Sequence, residues 1–333
     1  MRATVIGSGT FGTACAGLLA ARCEEVWLWG RDPALIAAIS TQHENPIYLP
    51  GIKLAPNVRA TTDVEEALNR SQLVVTAAPS HATREVMTRA APFVPPHVPV
   101  VTVTKGIEND TLRTMTEVLE DCLPETIHPY IAVLSGPSFA KEMVRRMPTV
   151  VTVAAQWERV AQQIQSVFQT DSFRVYTSKD VVGVQYGGAL KNVIAIAAGI
   201  SDGLGFGDNA RAALITRGLA EITRAAVREG ANPLTLSGLS GLGDLVLTCT
   251  GELSRNRQVG LALGRGRTIR QILDEMKQVA EGVRTARSAR DLAQKIGVDM
   301  PICEQVYAIT HENKDPRRAV VELMGRSPKP ELI

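Results

Sequence analysis

The first half of the chain alternates between short β-branched runs and stretches whose length suits helices. The runs read ATVIG, EVWLWG, QLVVTAA, VPVVTVT and YIAVLS. Strands separated by helices pair in parallel, because each helical crossover returns the chain to the end of the sheet at which the previous strand began. The pattern therefore predicts a mostly parallel, doubly wound sheet with helices on both faces. Two later runs, at 149–154 and 173–176, extend the sheet, with a helix near 158–168 between them.

The strand pattern stops after about Ser178. A chain of 333 residues is longer than one ordinary hydrophobic core supports, so we expect two domains. We place the first at 1–178, with the α/β sheet, and the second, all-helical, at 179–333. The second half predicts helices between Gly-rich or polar turns at 181–200, 209–228, 256–263, 269–276, 283–295 and 302–311.

Charge and cysteine usage narrow the class of protein. A formal net charge of +2, from dispersed and balanced charges, gives no reason to expect nucleic acid or an anionic membrane as partner. The five cysteines are scattered and form no CxxC pair, and the five histidines show no metal-ligand spacing. These patterns favour reduced thiols in a cytoplasmic protein without a metal site. No targeting segment is visible before the first strand.

Residues 181–200 form an apolar segment in which Lys191 is the only charged side chain. The segment is long enough to cross a membrane, but Gln185, Lys191, Asn192 and four glycines favour a buried helix instead. An ammonium group in apolar surroundings has a lowered pKa, which suits proton transfer. Two structural alternatives remain open: Lys191 extends its charge to water, or it pairs with a structural carboxylate.

A glycine motif, Gly7-x-Gly9-x-x-Gly12, lies between the first strand and an Ala-rich helix. In this context Gly7 permits a tight turn, Gly9 lets the backbone approach a pyrophosphate and Gly12 allows close helix–strand packing. The helix N-terminus then binds the phosphates. The motif predicts a Rossmann-type dinucleotide-binding domain at 1–178, against the alternative of a glycine-rich turn without a ligand.

The end of the second strand is the expected position for a side chain that contacts the adenosine ribose, and it offers Arg31 and Asp32. Asp32 precedes Pro33 and an apolar run, which is typical of a helix N-cap. Arg31 is then left for the ribose, where a guanidinium suits a 2′-phosphate. This slightly favours NADP(H) over NAD(H) and leaves the use of both open.

Two further strand ends point toward the same crevice. Lys105 follows VVTVT, where open α/β sheets bind ligands, although an exposed loop lysine is the alternative. The segment Ser135-Gly136-Pro137-Ser138 ends the next strand and is predicted to open a helix over FAKEMVRR, which would provide another anion-binding N-terminus.

The helical half supplies polar groups as well. Asp244 lies between glycines and an apolar run, so it is either a partly buried carboxylate that pairs with a lysine or a helix cap. Arg255 and Asn256 begin a helix and would either bind a phosphate or form a solvated face. Cys249 is interpreted as a small buried side chain and 203–209 as a turn; His81 receives no role.

These residues lie in segments that resemble the bacterial-type NAD(P)-dependent glycerol-3-phosphate dehydrogenases over nearly the whole chain. The order and spacing of the segments are far more specific than the glycine motif alone. They are GSGTFGTA at 7–14, PSH at 79–81, TKGIE at 104–108, LSGPSFAKE at 134–142, GALKNVIAIAAGISDG at 188–203, GLGDLVLTCTG at 241–251, SRNRQVG at 254–260 and EGVRTA at 281–286.

The resemblance implies a role for each matching residue. Lys191 would transfer the proton, and Lys105 would contact both cofactor and substrate. Phe11 stands where the family more often has Trp or Tyr, so an aromatic ring is kept. The other implied substrate contacts are Gly136, Ser138, Asp244, Ser254, Arg255 and Asn256. The other implied cofactor contacts are Thr10, Phe11, Arg31, Ala140, Arg255, Val279 and Glu281.

The implied reaction is reversible hydride transfer from NAD(P)H to C2 of dihydroxyacetone phosphate, which forms sn-glycerol 3-phosphate for phospholipid synthesis. In this scheme Lys191 donates the proton, Lys105 stabilises the developing charge and Asp244 orients Lys191. A homodimer formed through the helical domain is left open. The alternatives are a 3-hydroxyacid dehydrogenase of the same architecture and a nucleotide sensor without turnover.

Overall fold

The structure, a computed structural model, describes residues 1–276, 280–328 and 330–331. Its main sheet has eight strands in the order β10-β9-β8-β7-β6-β1-β2-β5, and every neighbouring pair is parallel except β8 with β9. The mostly parallel sheet predicted from the sequence is therefore confirmed. The strands are β1 (Arg2–Ile6), β2 (Glu25–Trp29), β3 (Glu44–Asn45), β4 (Leu49–Lys53), β5 (Val58–Thr61), β6 (Leu73–Thr76), β7 (Val100–Thr102), β8 (Ile131–Ser135), β9 (Thr149–Ala155) and β10 (Phe173–Ser178).

The sequence analysis missed the edge strand β5 and the β3–β4 hairpin. Strand β5 has only four residues, VRAT, so it offers too short a run for a periodic pattern. Strand β4 reads LPGIK, and proline and glycine argue against a strand when only the sequence is considered.

Helices cover both faces of the sheet, each over its own apolar core. Successive residues of β6 show why: Leu73 and Val75 pack into the core beneath α1, α2 and α7, whereas Val74 packs into the core beneath α3, α4 and α5. The side chains of a strand alternate between its faces, so one apolar strand supplies both cores. These helices are α1 (Thr10–Leu19), α2 (Pro33–Gln42), α3 (Val64–Leu68), α4 (Ser80–Ala90), α5 (Met115–Cys122), α6 (Ala140–Met143) and α7 (Glu158–Phe168).

The helix predicted over FAKEMVRR is wrong in length. Only α6, a single turn, forms there, and Arg146 has a left-handed backbone with φ of 56°. The reason is topological: β9 runs antiparallel to β8, so the connection at 136–148 only reverses the chain and needs no crossover helix.

Beyond Ser178 the described residues contain helices and no strand. At their centre lies α8, in which every residue from 183 to 201 is buried. By length and composition alone α8 could cross a membrane, but 89% of its apolar window is buried inside the protein. The helices are α8 (Val181–Gly203), α9 (Gly207–Arg228), α10 (Pro233–Leu236), α11 (Asp244–Thr250), α12 (Arg255–Gly264), α13 (Ile269–Glu275), α14 (Glu281–Ile296), α15 (Pro301–His311) and α16 (Pro316–Met324).

Glycines allow α8 and α12 to pack with their backbones in contact. A Cβ atom at Gly199 would overlap the carbonyl oxygen of Arg257, and one at Gly260 would overlap the carbonyl oxygen of Ile196. This close approach fixes the N-terminus of α12, with Arg255 and Asn256, relative to Lys191 on α8. The sheet plus all-helical architecture expected from the sequence is thus present.

Candidate active site

Lys191 forms an ion pair with Asp244 inside the helical part of the protein. Its Nζ donates to Asp244 Oδ1 and to Thr248 Oγ1, the latter at 2.9 Å. The side chains of Lys191 and Asp244 are only 7% and 1% exposed. Lys191 therefore does not extend its charge to water, and its compensation comes from a buried carboxylate.

The same carboxylate binds a second lysine, from the sheet. Lys105, which follows the carboxyl end of β7, places its Nζ 2.6 Å from Asp244 Oδ2 and 3.3 Å from the Gly136 carbonyl oxygen. Its side chain is 18% exposed, so it is the more accessible of the two lysines. Two cations from different parts of the fold thus converge on one anion.

Burial and mutual charge set the protonation of this cluster. Burial and the positive charge of Lys105 both lower the pKa of Lys191 while Asp244 raises it, and the net pKa is about 7. Burial alone would raise the pKa of Asp244, but the two lysines hold that pKa below its usual value. Asp244 therefore stays ionised, and Lys191 exchanges its proton near neutral pH.

Thr248 is a member of the cluster that the sequence analysis missed. Its hydroxyl accepts from Lys191 and donates to the Asp244 carbonyl oxygen at 2.6 Å. The signal was present in the sequence, because Thr248 follows Asp244 by four residues and so lies on the same face of α11. Asp244 itself is not a cap: α11 begins directly after a π-helical turn, Leu239–Gly243, with no side-chain cap.

The glycine motif forms a cradle of the kind that a pyrophosphate needs. Gly7 has φ of 123°, and a Cβ atom at Gly12 would overlap the Gly7 carbonyl oxygen. A Cβ atom at Gly9 would meet no atom within 4 Å, so this side of the turn is open. No side chain caps the N-terminus of α1, which Thr10 and Phe11 begin. A helix N-terminus without a side-chain cap suits a phosphate, because its backbone N–H groups and dipole attract an anion.

At the end of β2 the neighbouring residues Arg31 and Asp32 make different contacts. Asp32 is the N-cap of α2, as predicted, and accepts from the backbone N–H groups of Ala34 at 2.9 Å and Leu35 at 3.2 Å. The Arg31 side chain is exposed and makes no hydrogen bond or ion pair among the described residues. Arg31 is therefore available to a ligand.

The remaining candidates lie around the lysines. Gly136 has φ of 142°, and a Cβ atom there would come within 2.9 Å of Val151 Cα. Ser138 Oγ donates to the Gly136 carbonyl oxygen at 2.9 Å, and Ala140 begins α6. On the helical side Ser254 Oγ caps α12 by accepting from the Arg257 N–H at 3.2 Å.

Comparison with known proteins identifies the chain. Residues 2–161 match the N-terminal family of NAD-dependent glycerol-3-phosphate dehydrogenases, and residues 180–321 match its C-terminal counterpart. The chain belongs to the NAD-dependent glycerol-3-phosphate dehydrogenase family.

Relatives along the full length agree with this assignment. A glycerol-3-phosphate dehydrogenase [NAD(P)+] from Myxococcus xanthus is 69% identical, covering 100% of this chain and 99% of its own. One from Anaeromyxobacter sp. strain K is 60% identical, covering 100% of both chains. The crystal structure of glycerol-3-phosphate dehydrogenase from Coxiella burnetii superposes with a TM-score of 0.93 at 38% identity, covering 98% of this chain and 99% of the other.

Within this dehydrogenase a polar chain connects α8, α12 and α14. Asn256 Nδ2 donates to Asn192 Oδ1 at 2.9 Å, and Asn256 Oδ1 accepts from the Gly282 N–H at 2.9 Å. The preceding residue, Glu281, accepts from the Ser80 N–H at 3.2 Å and from Ser80 Oγ at 2.5 Å. Glu281 thus caps helix α4 from the other half of the protein. Val279, also predicted as a cofactor contact, lies outside the described residues.

Two other groups of the dehydrogenase have strongly shifted pKa values, but their contacts indicate a structural role. Burial raises the pKa of Glu221 to about 7, but its oxygens accept from the N–H groups of Ile302 at 2.8 Å and Cys303 at 3.2 Å, which caps α15. Burial raises the pKa of the Cys249 thiol to about 12, as expected of a packing side chain rather than a nucleophile. Among the described residues no group of three or more His, Cys, Asp or Glu side chains could hold a metal ion.

Proposed function

We propose that this chain catalyses the reversible NAD(P)H-dependent reduction of dihydroxyacetone phosphate to sn-glycerol 3-phosphate, which supplies glycerol phosphate for phospholipid synthesis. The observation that carries the proposal is the buried Lys191–Asp244–Lys105 cluster, in a member of the glycerol-3-phosphate dehydrogenase family. A lysine whose pKa is about 7 is suited to give up and regain a proton at neutral pH.

In the proposed reaction, bound NADPH or NADH supplies the hydride to the C2 carbon of the ketone. Lys191 protonates the C2 oxygen as negative charge grows on it, and Lys105 stabilises that charge as a second cation. Asp244 holds both ammonium groups in place and keeps Lys191 from losing its proton too early. In the reverse direction neutral Lys191 accepts the proton of the alcohol.

The substrate phosphate is assigned to the N-terminus of α12. Arg255 is the first residue of this helix and provides a guanidinium, which suits a phosphate. Asn256 uses one N–H and its oxygen for Asn192 and Gly282, which leaves its second N–H for the substrate. Gly136, Ser138 and Ser254 would complete the pocket. Fixing the phosphate places C2 beside the hydride donor.

On the nucleotide side, the proposal assigns Gly7, Gly9, Gly12, Thr10 and Phe11 to the pyrophosphate turn and Arg31 to the ribose. Ala140, Glu281 and Val279 would be further cofactor contacts. The open Gly9 side and the uncapped α1 N-terminus support this assignment.

The proposal also covers organisation. We divide the chain into a dinucleotide-binding domain at 1–178 and a helical substrate domain at 179–333, since the last strand ends at Ser178 and α8 begins at Val181. We also propose that the enzyme is cytoplasmic and forms a homodimer through the helical domain. Light scattering of the purified protein tests the dimer.

Consumption of NADPH and NADH by the purified protein tests the reaction. We expect dihydroxyacetone phosphate to be reduced and dihydroxyacetone, which lacks the phosphate, to be a poor substrate. A 3-oxoacid, the ketone of a 3-hydroxyacid, serves as the competing substrate. Turnover of that substrate alone would indicate the 3-hydroxyacid dehydrogenase, and binding of both cofactors without turnover would indicate a sensor.

A further inference from the structure

Three basic side chains come together at the nucleotide end of the protein, and only one of them has a role so far. They are Arg31 after β2, His81 in the first turn of α4 and Arg284 in the first turn of α14. Two belong to the sheet half and one to the helical half.

Arg31 and His81 flank the glycine turn from opposite sides. On one side the Gly7 N–H donates to the Trp29 carbonyl oxygen at 2.9 Å, and a Cβ atom at Gly30 would overlap Ser8 Oγ. Arg31 follows directly. On the other side a Cβ atom at Gly7 would come within 2.8 Å of the Ala77 carbonyl, three residues before Ser80 and four before His81.

The Ser80–Glu281 hydrogen bonds bring Arg284 to the same place. Glu281 and Arg284 are separated by three residues on α14, so their side chains lie on one face of the helix. Because Glu281 binds the residue next to His81, Arg284 is near enough for its charge to act on His81.

The charges of the three groups act on one another. Burial lowers the pKa of His81, the charges of Arg284 and Arg31 lower it further, and Glu281 alone opposes them. The Arg31 and Arg284 side chains are exposed, and neither makes a hydrogen bond or ion pair among the described residues. Two guanidiniums without such partners therefore act on the exposed imidazole of His81, and their charges disfavour its protonated form until an anion binds.

We propose that Arg284 and His81, together with Arg31, bind the 2′-phosphate of NADP(H) and so determine the choice between NADP(H) and NAD(H). The inference rests on the proposed function, since it takes the dinucleotide as the ligand. A dianionic phosphate relieves the repulsion between the two guanidiniums and favours protonation of His81, and guanidinium groups bind phosphate oxygens in pairs. NAD(H) carries a hydroxyl at this position, which offers no charge to the cluster. Because Arg284 comes from the helical half, the site is complete only when both halves are docked.

The test compares the dissociation constants of NADPH and NADH, measured by fluorescence titration, for the wild type, Arg284→Gln and His81→Asn. We expect Arg284→Gln to weaken NADPH binding by about tenfold and His81→Asn by a smaller factor, with NADH changed by less than about twofold. Arg287→Gln is the matched control, because it removes the same charge one turn further along α14, where Arg287 lies 3.6 Å from Asp110.

A fragment separates the 2′-phosphate from the rest of the cofactor. Competition by 2′,5′-ADP should weaken in Arg284→Gln, whereas competition by 5′-AMP should not. Equal loss of NADPH and NADH would overturn the proposal, and so would unchanged NADPH binding in both variants or a wild type that strongly prefers NADH. If Arg284→Gln fails to fold, His81→Asn provides the same comparison. Reduction of dihydroxyacetone phosphate with NADH tests the proposed function independently, since that activity does not need this site.

Discussion

Lys191 has its particular chemistry because burial and a neighbouring cation outweigh the carboxylate that stabilises its ammonium group. Burial disfavours the charge, Lys105 repels it and Asp244 attracts it, and the resulting pKa is about 7. General acid catalysis is most effective when the pKa of the group lies near the working pH. A lysine with its ordinary pKa would hold its proton too tightly to act as a base in the reverse direction.

The pH dependence of the two directions tests this balance. Ketone reduction needs protonated Lys191, so its kcat/KM should decrease as the pH rises through about 7. Alcohol oxidation needs the neutral amine and should increase over the same range. Both are measured above about pH 6.5, where the substrate phosphate is dianionic. If kcat/KM in both directions changed only near the ordinary lysine pKa, Lys191 would not be the titrating group.

Asp244→Asn separates the contribution of the carboxylate. Asp244 raises the pKa of Lys191, so its loss should move the pH limb of reduction to lower pH. We expect kcat/KM near neutral pH to fall by about 10²-fold, with NADPH binding retained. Asp208→Asn, which removes an exposed carboxylate, is the control. An unchanged pH limb in Asp244→Asn would show that the carboxylate does not set the proton affinity of Lys191.

The position of α12 depends on its backbone contact with α8. Glycines at 199 and 260 allow this contact, which fixes the first residues of α12, Arg255 and Asn256, relative to α8. Gly199→Ala introduces a methyl group against the Arg257 carbonyl, so the two helices must separate. We expect a loss of about 1–3 kcal/mol in the free energy of unfolding, with a raised KM for the phosphate substrate. Gly17→Ala in α1, where the nearest atom lies at 3.5 Å, should be nearly neutral in denaturant unfolding.

Helix α15 depends on Glu221 for its first turn. Replacing Glu221 with Ala leaves the buried N–H groups of Ile302 and Cys303 without acceptors. We expect a loss of about 2 kcal/mol in the free energy of unfolding. The kcat should be unchanged, because Glu221 caps a helix and is not part of the lysine cluster. Glu304→Ala, an exposed position on the same helix, is the control in urea titration. A large loss of kcat with normal stability would instead give Glu221 a role in the reaction.

The protein as a whole assembles its site from both halves. Lys105, from the sheet, and Asp244, from the helices, are 139 positions apart in sequence, and Ser80 and Glu281 are 201 apart. Each pair joins the half that carries the cofactor cradle to the half that carries Lys191. In the proposed reaction, hydride donor and proton donor therefore reach one substrate only when the two halves are docked.

Sequence was sufficient where the determinant is local. The strand runs, the Asp32 cap and the glycine turn depend on neighbouring residues, and the lone charge in α8 signalled a buried partner. The sequence was insufficient where tertiary packing determines the contact. The sharing of Asp244 between two lysines and the capping of α4 by Glu281 depend on docking of the halves. The short α6 depends on an antiparallel strand that local propensity does not reveal.

Replacement of Lys191 by Met tests the account most directly, because methionine keeps the length and apolar stem of the side chain and removes the proton. NADPH oxidation with dihydroxyacetone phosphate is measured beside NADPH binding by fluorescence, in wild type and Lys191→Met. We predict a decrease in kcat of about 10²–10⁴-fold with the dissociation constant of NADPH changed by less than about twofold. A variant that binds NADPH normally and keeps most of the wild-type kcat would contradict the assignment of Lys191 as proton donor.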